Sequence, residues 1–285
     1  MIRALGVVAA LVGAGSVLLA APLADADRDP GGSASVPPAA APVAVVAPVA
    51  RVAPPAPVPR AAALPLAGLR IALDPGHQLG NHNFPARIRR PVPAGGFSKP
   101  CNTTGTATSS GYAEASVNFA ISRLVKSRLE ALGATVLLTR NRNSQALWGP
   151  CVDKRGEFGK AVRAVLEVSL HADGSARGNH GFHVIAPKRR APWTSDIAAP
   201  SLRLAKALRS GLDSRHLARS TYIGGGTALS IRADLGTLNM SDVPVAMIEI
   251  GNMRNPGDAR RMTSATGRSV YANGVVAGIR AYLGR

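Results

Sequence analysis

The chain has 285 residues, with 34 Lys and Arg against 16 Asp and Glu, a formal net charge of +18 and only 4% aromatic residues. So basic a surface is drawn to a polyanion. Nucleic acid is one candidate, and without aromatic stacking platforms the weaker one; an anionic cell-wall polymer fits an exported chain better.

Residues 1–26 read as a secretory signal. Arg3 supplies the positive start, 4–21 is an apolar run, and Ala24-Asp25-Ala26 fits a small-x-small cleavage site, so the mature chain is expected to start at Asp27. A retained membrane anchor is the alternative, because the run is nearly long enough to span. The Gly and Ala content and the cleavage pattern favour removal, leaving no stable membrane span and an address in the periplasm or cell wall. Residues 27–67 are Pro, Ala and Val with almost no aromatics. That composition cannot offset its ordering entropy, so a disordered or polyproline-like tether is expected.

Residues 68–285 suit one folded domain, expected to be monomeric. All but four of the basic and three of the acidic residues lie there. Helices alternating with strands imply a twisted, mostly parallel α/β sheet covered on both faces. The first strand is 69–73. Pro75 stops its ladder, and Gly76 permits a sharp turn that delivers His77 to the carboxyl end. Open α/β sheets build sites at that edge.

A Gly/Pro/Asn-rich insertion, 78–111, follows. Its Arg87-Ile88-Arg89-Arg90 cluster is a solvated charge run by default and a binding rim in the functional reading. A helix over 112–132 is striped by Val117, Ile121, Leu124, Val125 and Leu129, with Gly133 as its cap. Strand 134–138, a helix over 152–163, strand 166–170 ending at His171-Ala172-Asp173, and strand 181–186 come next. A helix over 196–214, a glycine loop at 224–226, strand 243–250 carrying Glu249, and a helix over 269–283 complete the domain. Cys101 and Cys151 are the only cysteines, and an even count in an exported chain points to one disulfide. Free thiols or a metal site are the alternatives; no CxxC spacing occurs.

Three strand ends thus carry His77, His171 and Glu249, and Glu114 opens the 112–132 helix. Two imidazoles and a carboxylate make a sound set for one Zn²⁺, with a fourth position left for water. The second carboxylate then serves as general base; Glu249 suits that role because Val245, Ala246, Met247, Ile248 and Ile250 would desolvate it. Each residue also has a plain reading. His171 could merely end a strand, Glu114 could complement its helix dipole, and Glu249 could pair with Arg155 or Arg254. His82, His180, His183 and His216 compete on composition alone, and His183 within its strand is left unassigned.

The blocks Ile71-Ala72-Leu73-Asp74-Pro75-Gly76-His77, Glu114, Leu137-Leu138-Thr139-Arg140, Ser169-Leu170-His171-Ala172-Asp173 and Met247-Ile248-Glu249-Ile250-Gly251-Asn252, ending at Asn255, resemble the zinc-dependent N-acetylmuramoyl-L-alanine amidases of the Amidase_3 type. The resemblance runs from Leu69 to Leu283, with all blocks in the family's order. It implies zinc on His77, Glu114 and His171, Glu249 as catalytic base, and hydrolysis of the amide joining N-acetylmuramic acid to the L-alanine of the stem peptide in peptidoglycan. The chain departs from the family pattern at Gln78-Leu79-Gly80-Asn81, in the long 78–111 insertion, and at His183, where Glu is usual. Some relatives carry a helix that covers the metal; the connections after strands 166–170 and 181–186 are too short for one, so an open site is expected. Rival readings are a zinc peptidase cutting within the stem peptide and a non-catalytic wall-binding regulator on the same fold.

Overall fold

Ile71, Ala72 and Leu73 are fully buried, and the strand they build, β1 (Arg70–Pro75), lies inside a six-stranded sheet. The computed structural model describes residues 63–285; the expected signal and nearly all of the expected tether lie outside the described residues. Leu66 is fully buried and its amide donates to the Leu132 carbonyl at 2.8 Å, so the fold takes in residues just before the boundary read at 68.

After β1 come a 3-10 turn at Asn81–Asn83, α1 (Pro85–Arg89), β2 (Pro91–Pro93), β3 (Ser98–Pro100), α2 (Glu114–Ala131), β4 (Thr135–Leu138) and α3 (Val152–Ala161). Then follow β5 (Leu166–Asp173), β6 (His183–Pro187), α4 (Ala198–Asp213), β7 (Leu229–Arg232), α5 (Gly236–Asn239), β8 (Val245–Asn252), α6 (Pro256–Thr263) and α7 (Ala265–Leu283). The strand order is β4-β1-β5-β8-β6-β7. β1 runs parallel to β4 and β5, β5 to β8, and β6 to β7; only β6 against β8 is antiparallel. The expected mostly parallel sheet is therefore present. The exception has a simple cause: residues 174–182 are too few for a crossover, which takes a dozen or more, so β6 must run back. Its first residue, His183, then falls opposite Glu249 at the edge where β1, β5 and β8 end.

Alternation along the strands sorts the two faces. Val168, Leu170, Ala246, Ile248 and Ile250 face α2, α4 and α7 in the main core. On α2, Val117, Ile121, Val125 and Leu129 recur every fourth residue and are fully buried. Each contributes roughly 1.5–3 kcal/mol, and Ile121→Ala would cost about 2–5 kcal/mol. The opposite face is covered by α3 and α5. It carries a small apolar cluster of Ile185, Ile197, Leu238, Val245 and Met247, and the polar residues Asp74, Glu167, Ser169, His171, His183 and Glu249 in the alternate register.

The insertion read as irregular holds α1 and the antiparallel hairpin of β2 and β3. In α1, Ile88 is buried while Arg87 and Arg89 are exposed, the solvated form of that cluster. Cys101, at the end of the hairpin, is bonded to Cys151, which caps α3. The helix read over 269–283 is present as α7, which starts four residues earlier, and a separate short helix, α6, precedes it. Asn255 caps α6 and accepts from the Gly257 and Asp258 amides, and Ser264 caps α7 and accepts from Gly267. Strand β7 and the short α5 were not legible. Among the described residues no helix is long and apolar enough to cross a membrane.

Candidate functional site

Three elements bring three donors together. Gly76 closes against the sheet through its amide, which donates to the Leu170 carbonyl, and His77 follows in the left-handed region at φ 57°. Glu114 is the first residue of α2, and His171 lies on β5 beside β1 and β8. One ligand atom from each of His77, Glu114 and His171 lies within 4.8 Å of the others. Glu114 Oε1 is 3.2 Å from His77 Nε2 and 3.0 Å from His171 Nδ1. The imidazoles stand edge to face, with ring centres 4.7 Å apart.

The surroundings fix each donor. His77 Nδ1 is 3.1 Å from the Thr103 carbonyl, an acceptor that favours a proton on Nδ1 and aims Nε2 at Glu114. Glu114 Oε2 accepts from the Thr106 amide, and Oε1 accepts from the Ala172 amide and the Asn118 side chain. Gly76 cannot carry a side chain, because a Cβ there would lie 2.4 Å from the His171 ring. Two imidazoles and a carboxylate with outer hydrogen bonds already made are a donor set that fits a metal ion.

Charge follows from this packing. Burial works to raise the Glu114 carboxyl, but the His77 charge and the hydrogen bonds of both imidazoles outweigh it and hold the carboxyl well below its ordinary range. Burial works to lower His77; Glu114 outweighs it, so His77 sits above its ordinary value. In His171 burial wins and the imidazole is lowered.

Glu249 pairs with His171 across β5 and β8 and lines the same cleft as His77 and His171, with Met247, Leu235 and Val152 supplying apolar wall. Burial first, then the negative charges of Glu114 and Asp173, push the Glu249 carboxyl well above its ordinary range. Its Oε2 is buried without a hydrogen-bond partner. The alternative ion pairs do not form: Arg155 is joined to Asp74 on the floor of the site, and no carboxylate among the described residues comes within 4 Å of Arg254.

Several residues beneath the centre were not legible as site residues. Arg155 donates to the carbonyls of Pro75, His77, Gly149 and Pro150, and Arg140 donates to those of Pro75, Gly76 and Ala115. Together they clamp the turn that carries His77. The order of Asp74 and Thr139-Arg140 at adjacent strand ends was the signal that could have found part of this clamp. His183, left unassigned from sequence, lies across the ladder from Glu249 with its Nδ1 buried and unpartnered, and burial brings it down to about 4, so the ring is neutral near pH 7. His82 and His216 are exposed and His180 is half-buried.

Known proteins share this arrangement of chain. The family model described as N-acetylmuramoyl-L-alanine amidase, Amidase_3, matches residues 71–281. An N-acetylmuramoyl-L-alanine amidase of Mycobacterium tuberculosis is 40% identical over 221 residues, covering 76% of this chain and 88% of that protein. The crystal structure of the amidase Ami1 from Mycobacterium smegmatis aligns with a TM-score of 0.71 at 38% identity, covering 77% of this chain and 98% of that one. Ami1 from Mycobacterium abscessus gives 0.71 at 41% identity, covering 76% and 100%.

Proposed function

Because the chain belongs to the Amidase_3 family of N-acetylmuramoyl-L-alanine amidases, and is a peptidoglycan amidase, we propose that His77, Glu114 and His171 hold one zinc ion and that Glu249 moves the proton. The observation that carries this reading is the approach of the three donor atoms to within 4.8 Å at the mouth of a cleft that Glu249 also lines. Two nitrogens and one carboxylate oxygen match the donor preference of zinc and leave a position open. Zinc held there supplies a Lewis acid for the amide carbonyl and brings the pKa of a bound water to about 7.

The chain's own groups do the rest. Glu249, desolvated and facing two other carboxylates, has a high proton affinity. It takes the proton of the attacking water and delivers it to the nitrogen of L-alanine as that amide breaks. Thr103 keeps the His77 ring in one tautomer and orientation, and Thr106, Ala172 and Asn118 hold the Glu114 carboxylate. Arg155 and Arg140 keep the turn at Pro75-Gly76-His77 from relaxing.

The basic surface serves attraction to anionic wall polymers, and removal of residues 1–26 delivers the enzyme to the periplasm or wall. The connections 174–182 and 188–197 carry no helix, which supports an open centre working without an activator. Digestion tests the reaction. The full chain with zinc is incubated with purified peptidoglycan and the products are read by mass spectrometry. Intact stem peptides with a new L-alanine amino terminus support the proposal; cleavage inside the peptide would move the assignment to a peptidase.

A further inference from the structure

β5 and β8 end side by side, and the segments that leave them are locked together by two asparagines. Asn252 is fully buried and uses its whole carboxamide. Its Oδ1 accepts from the Ser175 and Arg254 amides, both at 3.0 Å, and its Nδ2 donates to the carbonyls of Ala176 at 2.8 Å and Asn179 at 2.7 Å. Asn255 donates to the Arg177 carbonyl at 3.1 Å while capping α6. The metal centre uses neither asparagine. Their joint effect is to fix the backbone of Arg177 and Arg254.

Those two arginines line one cleft of about 550 Å³, together with Ser109, Gly174, Ser175 and Ala176. Both are exposed. Among the described residues neither guanidinium has a hydrogen-bond partner or a carboxylate within 4 Å. A solvated surface arginine needs no frame. Two like charges that a fixed backbone brings to one cleft favour an anion between them.

The cleft shares a wall with the metal centre. A Cβ on Gly174 would meet Thr106 Oγ1 at 2.4 Å, and the Thr106 amide donates to Glu114. The cleft over His77, His171 and Glu249 differs in character. Pro100, Val152, Leu235 and Met247 line it, and its cations, Lys99 and Arg155, are already engaged with Asp234 and Asp74. One side of the scissile amide in the muramyl peptide is a neutral sugar, and the other is a peptide whose second residue, γ-linked glutamate, keeps a free α-carboxylate.

We propose that the cleft framed by Arg177 and Arg254 receives a carboxylate of the stem peptide, on the leaving-group side of the amide, and so sets the enzyme's preference for acidic over amidated stems. This rests on the amidase reading of the adjoining centre. A guanidinium presents a planar fork that a carboxylate fills with two parallel hydrogen bonds, and a carboxamide cannot replace both.

The test uses the full chain with zinc and three N-acetylmuramoyl tripeptides: the free acid, one amidated at the glutamate α-carboxyl, and one amidated at its C terminus. The wild type is expected to lose about tenfold in kcat/KM on one of the two amidations, chiefly through KM. The position of that loss identifies which carboxylate is read. Arg254→Ala and Arg177→Ala should bring the ratio of free acid to amide close to one, and Arg254→Lys should keep part of it. A ratio near one in the wild type, or one that survives in the double variant, overturns the proposal. So does loss of binding to a phosphate polymer with the ratio unmoved. Calorimetry with the released tripeptide needs no turnover. Arginine-dependent binding by a chain that leaves the muramyl amide intact would sink the amidase reading alone, and cleavage indifferent to the carboxylate would sink this cleft alone.

Discussion

Arg155 and Asp74, 81 positions apart in the chain, form an ion pair sealed beneath the candidate metal site, with side-chain exposures of 2% and 0%. Burial alone would raise the Asp74 carboxyl, but Arg155, the His171 charge and the hydroxyls of Thr139 and Ser169 outweigh it and lower it. The same guanidinium donates to the His77 carbonyl at 2.8 Å. Stability of the fold and placement of His77, a proposed metal ligand, therefore run through one side chain. Arg155→Ala leaves a buried carboxylate without its partner and should cost about 3–5 kcal/mol. Urea unfolding of the variant checks this; an unmoved midpoint would mean that the pair is replaceable by water.

Gly105 is the second point of leverage. It adopts φ +76°, and a Cβ there would lie 2.8 Å from Glu114 Oε2 and 2.9 Å from His77 Cδ2. Gly105→Ala should displace two of the proposed ligands at once and lower zinc affinity by about 10–100-fold. Competition against a chelator measures it, and wild-type affinity would show that the loop yields without disturbing the site.

How much of this was legible follows from which interactions are local. The strands and the α2 stripe were readable because period two and period 3.6 are written in consecutive residues such as Val117, Ile121 and Val125. The convergence of His77, Glu114, His171 and Glu249 was readable because parallel strands end on one edge and a helix can start there. Arg155 had a visible charge but an invisible partner: nothing local says that it reaches Asp74 rather than Glu249. His183 was unreadable for a topological reason, since only the reversal of β6 sets it against Glu249. In the insertion, the Pro and Gly that argued for irregular chain also suit a short hairpin, and the Cys101–Cys151 bond ties its end to α3.

That bond closes a loop with a sequence separation of 50. Reduction, or Cys101→Ser with Cys151→Ser, should lower stability by up to about 4 kcal/mol in the chain-entropy account. Denaturant curves with and without a reductant give the figure; overlapping curves would mean that Val92, Trp148 and Val152, packed around the sulfurs, hold the segment unaided.

Glu167 gives the fold a pH dependence of its own. It is fully buried, accepts from the Gly159 amide through Oε2, and has an unpartnered Oε1. Burial, then the Asp74 charge, hold its carboxyl well above the ordinary 4.5. The folded state thus binds this proton more tightly than the unfolded state. Its contribution is fully present below the ordinary value and is lost as pH rises through the folded one. Glu167→Gln should flatten that loss. Melting temperatures of both proteins across the acid-to-neutral range test it, and parallel curves would remove Glu167 from the account.

The proposed division of labour between Glu249 and the three proposed zinc ligands is tested most directly by measuring zinc content and amidase turnover on one preparation of Glu249→Gln, beside His171→Ala. The account predicts that Glu249→Gln keeps one zinc per chain and loses turnover by about 10²–10⁴-fold, whereas His171→Ala loses metal and turnover together. Equal loss of zinc in both would make Glu249 a ligand and would contradict the assignment of the proton to it.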